Sequence, residues 1–131
     1  PPESLVKVPF IKYQTDASVA NIIETWCAEH FDEPPSVAMD VNSMSTCRHF
    51  VRAGLGWSIL TYMGLGSCKD KDIYVSPLRS KDGEYITRDT NMVYTKDAEN
   101  LVVVKTFIEY VRNYYKEHTV VDDSIFREYK A

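Results

Sequence analysis

Residues 36–63 read SVAMDVNSMSTCRHFVRAGLGWSILTYM, and the changes of apolar period within them decide the fold. Val37, Met39 and Val41 recur at every second position, the spacing of one face of a strand. Asn42 and Ser43 follow, both favoured helix N-caps, because a short side-chain oxygen accepts a hydrogen bond from one of the first unpaired N–H groups. Met44, Cys47, Phe50 and Val51 then form a helical apolar stripe, and Gly54 suits the left-handed position that ends a helix. From Gly56 to Met63 the chain returns to an apolar run that reads as a buried strand, with Trp57, Ile59 and Leu60 among its members. Upstream, Val8 to Tyr13 predicts a strand that ends in the polar Gln14-Thr15-Asp16. Asp16 or Ser18 caps a helix carrying Val19, Ile22, Ile23, Trp26 and Phe31, which Pro34-Pro35 stops. Strand, helix, strand, helix, strand in that order implies right-handed crossovers between parallel neighbours. The predicted class is α/β: an open, mostly parallel sheet flanked by helices.

Downstream, Gly64-Leu65-Gly66-Ser67 reads as a turn. Ile73 to Leu78 and Tyr85 to Tyr94 predict two further strands separated by the turn signal Lys81-Asp82-Gly83. A long helix is predicted from about Asp97 to His118, with Leu101, Val104, Phe107, Ile108, Val111 and Tyr115 on its buried face. Tyr110, Tyr114 and Tyr115 form an aromatic set on that helix. Core packing with wet phenolic tips is the expected role, a partner surface the alternative. The tail after Thr119 is weakly patterned, and no internal repeat or low-complexity linker interrupts the chain.

At 131 residues the chain has room for one domain with a single core. Hydrophobic residues at 44% and charged residues at 26% place it among ordinary globular proteins rather than disordered or fibrous ones. No apolar run approaches the roughly 20 residues of a membrane span, and the first residues resemble no signal peptide. A net charge of −4 argues against nucleic-acid binding by this stretch alone, since such binding draws on clustered Lys and Arg. Cys27, Cys47 and Cys68 match no zinc or redox spacing, and free thiols fit a reducing, cytoplasmic setting. The opening Pro1-Pro2-Glu3, without Met, suggests a piece of a longer polypeptide.

Ligands of open α/β sheets bind outside the carboxyl ends of the strands, where helix N-termini present N–H groups and a positive dipole end. That rule selects Gln14 to Ser18, Asn42 to Thr46 and Thr61 to Met63. Asn42-Ser43-Met44-Ser45-Thr46 combines three hydroxyls and an amide at a helix start, which suits a carboxylate or phosphate; plain capping is the commoner use of such residues. Gly54-Leu55-Gly56 is no dinucleotide fingerprint, because it lies between a helix and a strand instead of the reverse. Cys27 with His30, and Cys47 with His49, place the thiol on the apolar stripe and the imidazole elsewhere, as buried structural cysteines would be. No set of His, Cys or carboxylates has metal-ligand spacing. No cofactor is expected.

Val41-Asn42-Ser43, followed by Phe50-Val51-Arg52-Ala53-Gly54-Leu55-Gly56-Trp57-Ser58-Ile59-Leu60, resembles the helix, glycine turn and apolar strand of the effector-binding domains of LysR-type transcriptional regulators. Pro9-Phe10-Ile11-Lys12-Tyr13, Pro77-Leu78, Ile86-Thr87-Arg88 and Phe107-Ile108-Glu109-Tyr110-Val111 fall in that family's order and spacing, so the resemblance covers residues 8 to 117. The glycine turn alone is a modest signal; its place among the other elements carries the likeness.

The resemblance implies a domain like a type II periplasmic binding protein, with two α/β lobes and an inducer between them. Residues 1–131 look like the second lobe as a single effector-binding unit. A winged helix-turn-helix DNA-binding domain and most of the first lobe would then precede Pro1. Carried across by position, the contacts to a small, anionic effector fall on Gln14, Thr15, Asn42, Ser43, Met44, Ser45, Thr61, Tyr62 and Met63. The family usually has Pro where this chain has Thr61, which alters that edge of the pocket. The implied partners are the effector and, through the missing domain, DNA, in a cytoplasmic homo-oligomer that makes no membrane contact and does no chemistry of its own. One alternative is a catalytic lobe of similar architecture in a biosynthetic enzyme, for which Thr46, Arg48 and Thr61 are the candidates; another is a lobe of a solute-binding protein.

Overall fold

The computed structural model describes residues 2–65, 73–118, 121, 124 and 126. The expected Gly66-Ser67 half of the turn, Cys68 and most of the tail lie outside them. The chain forms two compact units, residues 1–86 with 125–131, and residues 87–124.

In the first unit a 3₁₀ helix, Pro2–Lys7, leads into β1, Phe10–Tyr13, then α1, Ala17–His30, β2, Val37–Val41, α2, Met44–Arg52, and a single turn α3, Tyr62–Leu65. β1 and β2 are parallel, pairing Ile11 with Met39, Lys12 with Asp40 and Tyr13 with Val41 after an irregularity beyond Phe10. The third ribbon lies on the other side of β1 but pairs through one parallel rung, Phe10 with Trp57. The Trp57 N–H donates to the Pro9 carbonyl at 3.0 Å and the Ile11 N–H to the Trp57 carbonyl at 2.9 Å.

The strand expected over Gly56 to Met63 is therefore shortened, for a visible reason. A continuing parallel ladder would hand the Ile11 carbonyl to the Ile59 N–H. The Ser58 hydroxyl takes that carbonyl instead at 2.7 Å, joined by the Cys47 thiol at 3.6 Å. Of the expected open sheet, the described residues thus contain a two-stranded parallel sheet with one extra rung.

Alternation along β1 divides the core. Phe10 packs with Trp26, Phe31 and Ile59 on the α1 side. Ile11 and Tyr13 pack with Cys47 on the α2 side, where Met39, Met44, Phe50 and Leu60 close over them. Period-two side chains from one central strand supply both faces, so one helix covers each.

Both predicted helix starts hold. The Asp16 carboxylate accepts the Val19 N–H at 3.1 Å and Ser43 Oγ accepts the Thr46 N–H at 3.1 Å. α1 ends at His30, with Phe31 as an extended C-cap ahead of the proline pair. α2 ends as its glycine predicts: Gly54 has φ +74°, with its N–H on the Val51 carbonyl and the Leu55 N–H on that of Phe50, the paired bonds of a Schellman cap. Gly56 serves a different need, since a Cβ there would run into the Pro9 carbonyl oxygen.

The turn at 81–83 is present, with the Ser80 N–H on the Glu84 carbonyl and the Ile86 N–H on that of Leu78. Its flanks are not the two strands expected. They share one antiparallel rung, Arg79 with Tyr85. The Arg79 side chain does much of the closing instead, donating to the Gly83 carbonyl and the Tyr85 hydroxyl at 2.9 Å each while lying over the Tyr85 ring.

In the second unit the long helix predicted from Asp97 is split. A 3₁₀ helix, Lys96–Asn100, is followed by α4, Val102–Glu117, because Leu101 adopts an extended backbone, φ −83° and ψ 117°. The buried stripe is narrower than expected. Ile108 is buried and Val104 and Val111 are half-buried, but Leu101, Phe107 and Tyr115 are exposed. Core packing of the tyrosines does not hold either. Tyr110, Tyr114 and Tyr115 are 65%, 42% and 55% exposed and contact one another, and the Tyr114 ring stacks on His118. Helical period fixes which residues share a stripe; it does not supply what the stripe packs against.

Candidate functional site

The carboxyl ends of β1, β2 and the third ribbon lie side by side, and specific bonds place their loops next to each other. The Gln14 N–H donates to the Val41 carbonyl at 2.8 Å, which sets the first loop against the end of β2. The Thr61 hydroxyl donates to the Met44 sulfur at 3.3 Å, which sets the third loop against the first turn of α2. Gln14, Thr15, Asn42, Ser43, Met44, Ser45, Thr61, Tyr62 and Met63 therefore fall on three adjoining loops. Gln14, Asn42, Ser45 and Met63 are exposed; Thr15, Ser43, Met44, Thr61 and Tyr62 are half-buried.

The side chains differ in what they have left to offer. Ser43 Oγ is occupied by the Thr46 N–H and lies 2.8 Å from the Thr46 hydroxyl, so both residues serve the cap. Met44 turns inward, its sulfur taken by Thr61 and packed against Gly64. Asn42 and Ser45 project at the start of α2, where helix geometry leaves the Met44 and Ser45 N–H groups without an intrahelical acceptor and the dipole favours negative charge. The loop as built suits an anion held by backbone donors with an amide and a hydroxyl beside them.

Arg48, which the sequence offers only as an enzyme candidate, has a structural partner. Its Nη1 donates to the Gly64 and Leu65 carbonyls at 3.3 and 3.1 Å. The available signal was its spacing of four from Met44, which puts both on one helix face. Thr46, Arg48 and Thr61 are thus all engaged in bonds that hold the loops.

Cys27 and Cys47 sit as structural groups. Cys47 is fully buried, its thiol donating to Ser58 Oγ at 3.1 Å. Burial raises its pKa. Cys27 is half-buried and raised by desolvation, then by the Glu24 charge. His30 lies on the Trp26 ring with Nδ1 2.9 Å from the Trp26 carbonyl, and His49 is exposed. Raised thiol pKa values favour the protonated, unreactive form. Among the described residues no three His, Cys, Asp or Glu side chains come together to hold a metal ion, and no helix is long and apolar enough to cross a membrane.

Comparison with known proteins gives a consistent picture. The family model described as LysR substrate binding domain matches residues 1–116. An uncharacterized HTH-type transcriptional regulator of Bacillus subtilis (strain 168), YraN, is 36% identical over 110 residues, covering 84% of this chain and 37% of that protein. A second from the same organism, YkuM, is 28% identical over 105 residues, covering 80% of this chain and 35% of that protein. The chain thus spans little more than a third of the length of these relatives.

Proposed function

We propose, on the premise that this chain belongs to the LysR substrate binding domain family, that residues 1–131 are one effector-binding lobe of a transcriptional regulator and do no chemistry. The effector is a small anion, a carboxylate in the first instance, held at the start of α2 and by the neighbouring loops 14–15 and 61–63. The observation that carries this reading is the adjacency of the three loops, fixed by the Gln14–Val41 and Thr61–Met44 bonds, within a family match over most of the chain.

The effector binds between this lobe and a partner lobe and favours one of their arrangements, because only a ligand with different affinity for two states can shift their balance. The regulator, a cytoplasmic homo-oligomer with a helix-turn-helix domain, then changes its grip on DNA. The test is operator affinity of the full-length regulator, followed by fluorescence anisotropy while acetate, succinate, citrate, glutamate and benzoate are titrated in. At least one should shift that affinity by about tenfold, a common size of coupling between sites. Asn42→Ala and Ser45→Ala, which alter exposed side chains, should abolish the response and leave stability intact. A wild-type regulator whose operator affinity ignores the whole series overturns the reading.

A further inference from the structure

The segment after the third ribbon contains a single helical turn, α3, whose Gly64 N–H reaches the Thr61 carbonyl at 2.8 Å. So short a helix satisfies few of its own backbone groups, and its last carbonyls need donors from elsewhere. Arg48 supplies them, Nη1 lying 3.3 Å from the Gly64 carbonyl oxygen and 3.1 Å from that of Leu65. One turn earlier on the same face of α2, Met44 accepts the Thr61 hydroxyl at 3.3 Å. Gly64 is buried so closely against Met44 that a Cβ on it would sit 2.5 Å from the sulfur. Both ends of segment 61–65 are therefore tied to the helix whose first turn carries Ser45.

We propose that Arg48 is a positioning residue for the ligand face. By closing on the Gly64 and Leu65 carbonyls it holds Thr61–Met63 in register with Asn42–Ser45, so that a carboxylate bridging the two loops meets groups already in place. Preorganisation of this kind raises affinity by removing the cost of ordering a loop at the moment of binding. The proposal rests on the sensing reading above and deepens it. The guanidinium is suited to the task because its donors are fixed in a plane, whereas a lysine ammonium carries rotating donors on a flexible stem and retains only part of the hold.

Hydrogen exchange of the full-length regulator carrying Arg48→Ala or Arg48→Lys tests the latch. In R48A the amides of residues 61–65 should exchange about tenfold faster, the scale set by losing a hydrogen bond to a charged donor. β1 amides should keep their protection, and R48K should recover part of the loss. Unchanged exchange in 61–65, or loosening that extends into β1, overturns the assignment. The second readout is the response of operator affinity to the same carboxylate series. R48A should need about tenfold more of the active carboxylate to reach its midpoint, with operator affinity unaltered when no carboxylate is present. An unshifted midpoint refutes the positioning role even if the exchange result stands. A wild type indifferent to the series refutes the sensing reading, and the ligand half of this proposal with it, a failure that the exchange data separate from failure of the latch.

Discussion

Gly56 and Cys47 illustrate two ways in which a single residue constrains this unit. Gly56 lies where the third ribbon passes the start of β1, with φ +158° and the Pro9 carbonyl occupying the space a side chain would need. Gly56→Ala should destabilise the chain by more than about 2 kcal/mol, since the strain falls on backbone that cannot move without breaking the Trp57 rung. Urea unfolding of the two proteins measures it, and a loss within error would mean the ribbons separate at no cost. Cys47 and Cys27 act through protonation. Their pKa values are raised above the ordinary 9.0 in the folded chain. Below that value thiols are protonated in both states and contribute no slope. Above it the unfolded chain loses protons first, so stability falls as pH rises until the folded thiols ionise too. Urea midpoints on either side of that pH should show the decline, and Cys47→Ala should flatten it. Thr61 adds a third case, because its hydroxyl makes a 3.3 Å bond to the Met44 sulfur that ties the third loop to α2.

At the scale of elements, side-chain caps start α1 and α2, whereas α4 begins without one. Its N-cap, Leu101, has the extended backbone of a cap but no side-chain hydrogen bond to offer. Leu101→Asp should add that bond and place negative charge at the helix start, a gain of about 1 kcal/mol. A higher thermal midpoint with more helical circular dichroism is the expected result; an unchanged midpoint would show that Leu101 already contributes as much through its apolar contacts. Periodicity by itself predicts a continuous helix from Asp97, because 3₁₀ and α segments share nearly the same apolar spacing over one turn. The bend at Leu101 is a backbone choice that the apolar pattern does not encode. Arg79 is the corresponding case for the 78–86 hairpin. Its own side chain closes the turn, and its carbonyl accepts the Trp26 indole N–H at 2.8 Å, so one residue shapes the turn and docks it on α1.

For the whole molecule, charge makes a prediction that is independent of the ligand. With a net charge of −4, the isolated chain should show no measurable affinity for duplex DNA even at low salt, where nonspecific binding is strongest. Retention of labelled DNA by this chain alone would contradict it. Over residues 8–63 the order of ribbons and helices, both N-caps, the Gly54 stop and the positions of the three candidate loops were legible in the sequence. They depend on local period and on groups within a few positions of one another, as Asp16 is to Val19 and Ser43 to Thr46. Tertiary contacts decided the rest. Ser58 ends the third ribbon by taking a carbonyl 47 positions away. Met44 becomes a support for Thr61 instead of an outward contact, and Arg48 becomes the tether of α3. Each outcome required a partner from another element to arrive at a set distance, information that no periodicity in a single stretch of chain carries.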